Sequence, residues 1–269
     1  MQHYCYNLDD DAEHVIADLG ITQEDWDSFQ SGLGYLRQLC REFGEAFSAG
    51  RPEGEAPQVV IMGGAVRDAL SGPESSLVGK LRDIDMFLVG GKGMTRGSYI
   101  GGTRYHEIRE LADSEELCKR CHYPMLDSDP VERANALKRP GYPAEVGCNH
   151  VRIIVSGTGF MPNPVVELFE TTKTTVDDLL SSADWNISQV AVTKDMLYVG
   201  RSFAIPKPGA VLRMVPGVDS VSGRTLSRGR SFMARYHMTI DPEDINLLSS
   251  VDLSMAVVEE MRDIDHDED

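Results

Sequence analysis

The sequence predicts an α/β fold of the α+β kind, a small mixed sheet flanked by helices and followed by a short helical C-terminal region. Three observations carry this. Short apolar runs recur at 58–62 (QVVIM), 84–89 (IDMFLV), 151–155 (VRIIV) and 165–169 (VVELF), each bounded by Gly, Pro or polar residues, as buried strands are. One long stretch, 22–49, repeats its apolar residues at intervals of three and four. The first apolar run enters Gly63-Gly64 and then at once a helical pattern, AVRDAL, so strand gives way to helix through a turn tight enough to need glycine.

The bulk numbers bound the class. The chain has 269 residues, room for one large domain or two modest ones, and its 41% of hydrophobic residues is enough for a real core. No apolar run reaches the roughly 18 to 20 residues of a membrane span, and the acidic start MQHYCYNLDDDAEH has no apolar signal core. Five cysteines, an odd number, fit a reducing compartment, so a cytoplasmic protein away from the membrane is expected. A net charge of −17 argues against a protein that coats nucleic acid. The charge is uneven, however. The tail EEMRDIDHDED is strongly acidic, while residues 200–238 carry Arg201, Lys207, Arg213, Arg224, Arg228, Arg230 and Arg235 against Asp219. That segment reads either as a local site for phosphates or as a solvated helix face balanced by the tail.

In chain order, Thr22 caps the first long helix with Asp25 three residues later, and Trp26, Phe29, Leu33, Leu36, Leu39, Cys40, Phe43 and Phe47 form its apolar stripe. RPEGEAP is a linker to the QVVIM strand. A helix at 65–70 and a loop lead to IDMFLV, which GGKG stops. Helical periodicity spans about 104–117, inside a Pro-rich polar insertion at 90–149. Two strands follow. Thr175, with Asp178 three later, starts a short helix to Leu180, and Asp184 is placed to cap another in DWNISQV. AVTKDMLYV reads as a hairpin turning at Lys194-Asp195. A helix over about 225–238, another opened by Asp241-Pro242, and a last one at 252–262 complete the chain. The division expected is a helical segment and linker at 1–57, a head domain at 58–205 holding the insertion, and a helical region with an acidic tail at 206–269.

The chemistry gathers at three places. Strand, glycines and helix N-terminus make a phosphate-binding arrangement, because first-turn N–H groups lack backbone partners and glycine lets a phosphate approach closely. LRDIDMFLV places Asp83 and Asp85 two apart at the start of a strand, which puts both on one side of a sheet. Two such carboxylates are costly together unless a cation sits between them, and magnesium suits carboxylates that share it with substrate phosphates. Glu167 stands in the apolar run VVELF; if that strand lies beside IDMFLV, it completes a three-carboxylate metal site for two-metal chemistry. The bland readings are a glycine turn kept for packing, a solvated strand end and an edge-strand glutamate.

GGAVRD at 63–68 followed by RDIDMFL at 82–88 resembles the head domain of the CCA-adding enzyme and bacterial poly(A) polymerase family, within the polymerase-β-like nucleotidyltransferases. SSADWNISQVAV at 181–192 is similar to that family's Arg-Arg-Asp-Phe-Thr-x-Asn-Ala segment, with Asp184 at the Asp position. LSRGRSFMARYHMTIDPE at 226–243 is similar to its neck helix and the Gly-Phe-x-Ile-Asp-Pro-type signature after it. The resemblance implies a polymerase-β-like fold with Mg²⁺ (two ions) on Asp83, Asp85 and Glu167. It also implies an NTP, ATP or CTP, bound by Gly63 and Gly64, with Asp184, Arg228 and Arg235 as further nucleotide contacts. Arg67 and Asp68 would brace the turn and the nucleotide. The reaction implied is template-independent transfer of a nucleoside monophosphate to a hydroxyl, an RNA 3′ end such as that of tRNA, with release of pyrophosphate. The sequence departs from the family pattern at Ser182-Ala183, where an arginine pair is usual, and at Thr225 and Ser231 in the neck. The family's tRNA-clamping body and tail have no counterpart in these residues, so a minimal stand-alone form is expected, of a kind associated with phage and viral proteins. Two other readings stay open: the same chemistry with a protein or small molecule as acceptor, and an inactive scaffold that binds NTP or a partner.

Cys118-x-x-Cys121 and Cys148-x-His150 flank the insertion. Cys₃His is an accepted zinc set that would staple a long loop; the alternative is small buried hydrophobes.

Overall fold

The structure, a computed structural model, describes residues 3–48, 56–71, 83–90, 150–154, 165–170, 173–216 and 223–249. The helical periodicity near 104–117, the body of the insertion and the helix expected at 252–262 lie outside the described residues.

The described strands of the main sheet are β1 (His3–Asn7), β2 (Gln58–Met62), β3 (Asp83–Val89), β4 (His150–Ile154), β5 (Val165–Glu170), β6 (Val190–Val192) and β7 (Met196–Gly200). They run in the order β1-β7-β6-β2-β3-β5-β4. β3 and β5 are parallel, and every other neighbouring pair is antiparallel, so the sheet is mixed as expected. β8 (Val211–Leu212) and β9 (Thr239–Ile240) pair separately. The helices are α1 (Ala12–Leu19), α2 (Gln23–Ser48), α3 (Gly64–Ala69), α4 (Val176–Leu180), α5 (Gly223–Tyr236) and α6 (Pro242–Ser249). No helix among the described residues is long and apolar enough to cross a membrane.

β2 is apolar from Val59 to Met62 because both its faces are covered there. Val59 and Ile61 pack with the stripe of α2, in which Trp26, Phe29, Leu33, Leu36, Leu39, Cys40 and Phe43 are all buried. Val60 and Met62 pack on the other face with Leu179, Leu180 and Ala183. Capping starts two helices as the sequence suggests. The Thr22 hydroxyl accepts from Asp25 N at 3.1 Å while Thr22 N donates to the Asp25 carboxylate at 2.9 Å. The Thr175 hydroxyl likewise accepts from Asp178 N at 3.1 Å. The Lys194-Asp195 hairpin is present, closed by Thr193 N donating to Met196 O.

Two features differ from expectation. Residues 1–57 are more than a helical segment and linker, because β1 adds an edge strand to the main sheet, paired with β7 from His3↔Gly200 to Asn7↔Met196. In HYCYN Tyr6 is the one buried side chain, too weak an alternation to read locally. The second concerns DWNISQV, which is not a helix capped by Asp184 but one 3₁₀ turn, Asn186–Ser188. Its backbone is drawn into long-range pairing instead. Asn186 N donates to Arg213 O, Val215 N donates to Asp184 O, and Trp185 bridges to Met214.

Candidate active site

The β2–α3 turn forms the first wall of the site. Gly63 has φ +80° and ψ −121°, a conformation open in practice to glycine alone. Its carbonyl accepts from Arg67 N at 2.9 Å, closing the first turn of α3, and its own N–H donates to Val190 O at 2.9 Å. The N–H groups left without a partner inside the helix are therefore those of the residues that follow, beginning with Gly64.

β3 supplies the floor. Asp85 is half-buried, on the strand face whose next member, Phe87, packs toward α4. The parallel register sets Asp85 opposite Glu167 and Asp83 opposite Val165. The adjacency on which a three-carboxylate set depends is thus present in the backbone.

A cavity of about 260 Å³ joins these parts: Gly63, Gly64 and Asp85 line it together with Asp184, Ser188 and Arg228. The residues come from the β2–α3 turn, β3, the 3₁₀ segment and α5, which are far apart in sequence. Arg228 Nη1 donates to Asp184 Oδ2 at 3.0 Å. Asp184 Oδ1 and the Ser188 hydroxyl are buried without a hydrogen-bond partner among the described residues, an arrangement that costs free energy unless something else meets them. Ser188, only 4% exposed, is a site residue that sequence reasoning misses; a serine in a mixed polar-apolar segment carries no local signal. A larger cavity, about 430 Å³ between α2 and the β6–β7 turn, contains none of the candidate residues.

Arg67, Asp68 and Arg235 stand apart from that cavity. Arg67 and Asp68 are 5% and 7% exposed and face α5. Arg67 Nε donates to Asp68 Oδ1 at 3.2 Å and to the Tyr236 hydroxyl at 3.1 Å, and that hydroxyl donates to Asp68 Oδ1 at 2.7 Å. Arg235 Nη2 donates to Asp68 Oδ2 at 3.3 Å. Burial, with the Asp68 carboxylate beside it, raises the Tyr236 phenol above its ordinary range, while the Arg67 and Arg235 charges oppose the shift.

Among the described residues no group of three or more His, Cys, Asp or Glu is placed to hold an ion, and the side chains of Asp83 and Glu167 lie outside what the structure describes. Cys118, Cys121 and Cys148 lie outside those residues, and His150 opens β4, so the zinc set has no support here. The remaining free cysteines described are Cys5, exposed, and Cys40, buried on the α2 stripe.

No protein-family model matches the chain, and no curated protein matches it. Among solved structures it is similar to "The complex structure of CCA-adding enzyme with CTP", with a TM-score of 0.39 and 16% identity. It is similar also to "The complex structure of CCA-adding enzyme with ATP", with a TM-score of 0.42 and 16% identity. Each likeness covers 92% of this chain and 45% of the other, so the chain spans under half the length of those enzymes. Scores and identity of this size carry no inference about chemistry, which rests on this chain's own residues.

Proposed function

We propose that the chain is a nucleotidyltransferase that moves a nucleoside monophosphate from an NTP, ATP or CTP, to a hydroxyl, without a template. The observation that carries this reading is the convergence of the Gly63-Gly64 turn, Asp85 and Arg228 on one cavity, with Glu167 in register beside Asp85. A triphosphate needs N–H donors and a cation, and the turn and Arg228 offer both to one cavity. Asp184 neutralises Arg228 while no phosphate competes for it. Asp184 Oδ1 and the Ser188 hydroxyl give the ligand's polar groups something to meet.

In the reaction the acceptor hydroxyl oxygen attacks the α-phosphorus, the bond to the β-phosphate oxygen breaks, and pyrophosphate leaves. The hydroxyl proton passes to a carboxylate, for which Glu167 is our choice, on the acceptor side of Asp85. Asp83, Asp85 and Glu167 offer hard carboxylate oxygens, the donor chemistry magnesium prefers; two Mg²⁺ ions held there would polarise the phosphoryl oxygens and lower the pKa of the attacking hydroxyl. An RNA 3′ end is the acceptor we favour, on the motif resemblance at 63–68 and 82–88.

The test is incubation of purified protein with each labelled NTP, Mg²⁺ and total cellular RNA, with the Asp83→Ala/Asp85→Ala double variant as control. Label in RNA that disappears in the double variant is the expected result. Label on protein would move the acceptor, and no transfer despite bound NTP would replace the enzyme with a nucleotide-binding scaffold.

A further inference from the structure

One face of α5 runs unbroken from the cavity to α3. Arg228, Phe232 and Tyr236 follow one another at intervals of four and so stand in line along the helix. At the cavity end Arg228 holds Asp184, and its guanidinium carbon lies 5.8 Å from the centre of the Phe232 ring. The guanidinium carbon of Arg67 lies 4.8 Å from the same ring centre. Arg67 then bonds Tyr236 and Asp68, and the Tyr236 hydroxyl bonds Asp68 in turn. Contacts therefore run without a gap from Asp184 through Arg228, Phe232 and Arg67 to Asp68 and Tyr236. Arg67 and Asp68 belong to α3, whose first residue, Gly64, also lines the cavity.

Arg67 and Asp68 are neighbours on one short helix, so their mutual bond holds nothing to α5. The link between the helices is made by the side chains of α5 itself. Tyr236, itself partly buried, reaches both members of the buried pair through one oxygen, and a hydrogen bond to a charged group of low exposure is stronger than one in water. Arg235 adds a longer bond from a half-exposed position.

We propose that Tyr236 is a positioning residue for the cavity: its hydroxyl, shared by Asp68 and Arg67, fixes α5 against α3 and so sets Arg228 relative to the Gly63-Gly64 turn. This rests on the nucleotide reading above. Arg67, Asp68 and Arg235 act with Tyr236 as the joint between the two walls and do not touch the ligand.

The test is a double-mutant cycle on ATP–Mg²⁺ binding by titration calorimetry, using the full chain. Tyr236→Phe keeps the ring that stacks on Arg67 and Arg235 and removes only the oxygen. It is expected to raise Kd about fivefold or more in the wild-type background and less than about twofold in an Arg228→Ala background, because coupled sites do not add. A residue that merely supports the fold would weaken binding by the same factor in both backgrounds. Arg235→Gln, at an exposed position that folds safely, is expected to show the same pattern with a smaller factor. Equal factors in the two backgrounds, or a Kd for Tyr236→Phe within about twofold of wild type, would overturn the positioning role while leaving the nucleotide reading intact. Wild-type protein that binds neither ATP nor CTP at millimolar concentration would overturn both.

Discussion

Gly229→Ala tests how α5 is seated. Gly229 lies in the interior of α5 and is buried against the indole of Trp185. A Cβ there would stand 3.0 Å from Cε2 and from Cη2 of the ring, and closer still to Cζ2. Carbon atoms in contact normally sit roughly 3.5 to 4.0 Å apart, so helix and ring must separate by something like 1 Å. The ring has nowhere to go, being fully buried, with its Nε1 donating to Thr225 O of the same helix at 2.9 Å. Overpacking of this kind costs about 1–3 kcal/mol, and the strained indole hydrogen bond adds about 1 kcal/mol. Replacing glycine inside a helix returns about 1 kcal/mol through propensity. The net expectation is a loss of roughly 1–3 kcal/mol, a fall in Tm on the order of 3 to 10 °C for a chain of this size. Thermal unfolding followed by circular dichroism measures it, with the near-ultraviolet tryptophan band as the local signal. Gly34→Ala is the internal control: Gly34 is exposed in α2 with nothing within 4 Å of the added carbon, so it should gain about 0.5–1 kcal/mol. A Tm for Gly229→Ala equal to or above wild type would refute the reasoning, since only the propensity gain would then be visible and α5 could not be seated on Trp185 as described.

Gly63→Ala meets no side chain but forces a residue with a Cβ to φ +80°, so it should lose about 1–3 kcal/mol in denaturant unfolding and weaken ATP binding; unchanged stability would show that the turn adopts another conformation. Burial pushes the Cys40 thiol up from 9.0 to about 12. The unfolded chain therefore ionises first as pH rises, and stability contributed by the neutral thiol is complete below pH 9 and is lost between about 9 and about 12, at up to about 1.4 kcal/mol per pH unit. Urea unfolding at pH 8, 9.5 and 10.5 should show a steeper decline for wild type than for Cys40→Ala; parallel declines would count against the assignment.

Much of the site is legible in the sequence. Gly63-Gly64, Asp85 and Arg228 each stand out there through motif or charge, and they line one cavity. The register that sets Asp85 opposite Glu167 answers the one condition the sequence leaves open, that the two strands be neighbours. Arg67 and Asp68 are expected to brace the turn and the nucleotide; what the sequence does not show is their contact 167 to 169 residues away, with Tyr236 and Arg235. Ser188 and Tyr236 have no local mark, because their weight comes from what surrounds them and not from their neighbours in the chain.

The sequence by itself determined whatever depends on residues within a turn or two of one another. The apolar stripe of α2, the hydroxyl caps at Thr22 and Thr175, the hairpin at Lys194-Asp195 and the doubly covered strand β2 all follow from spacing and side-chain chemistry, which act at short range. Tertiary structure decided the rest: β1 as an edge strand, the parallel pairing of β3 and β5, and the use of Asp184 as a partner for Arg228 rather than as a helix cap. Each is a choice among hydrogen-bond partners that are equivalent locally. The choice falls to whichever partner also buries the apolar surface alongside it, and that surface exists only once the chain has folded.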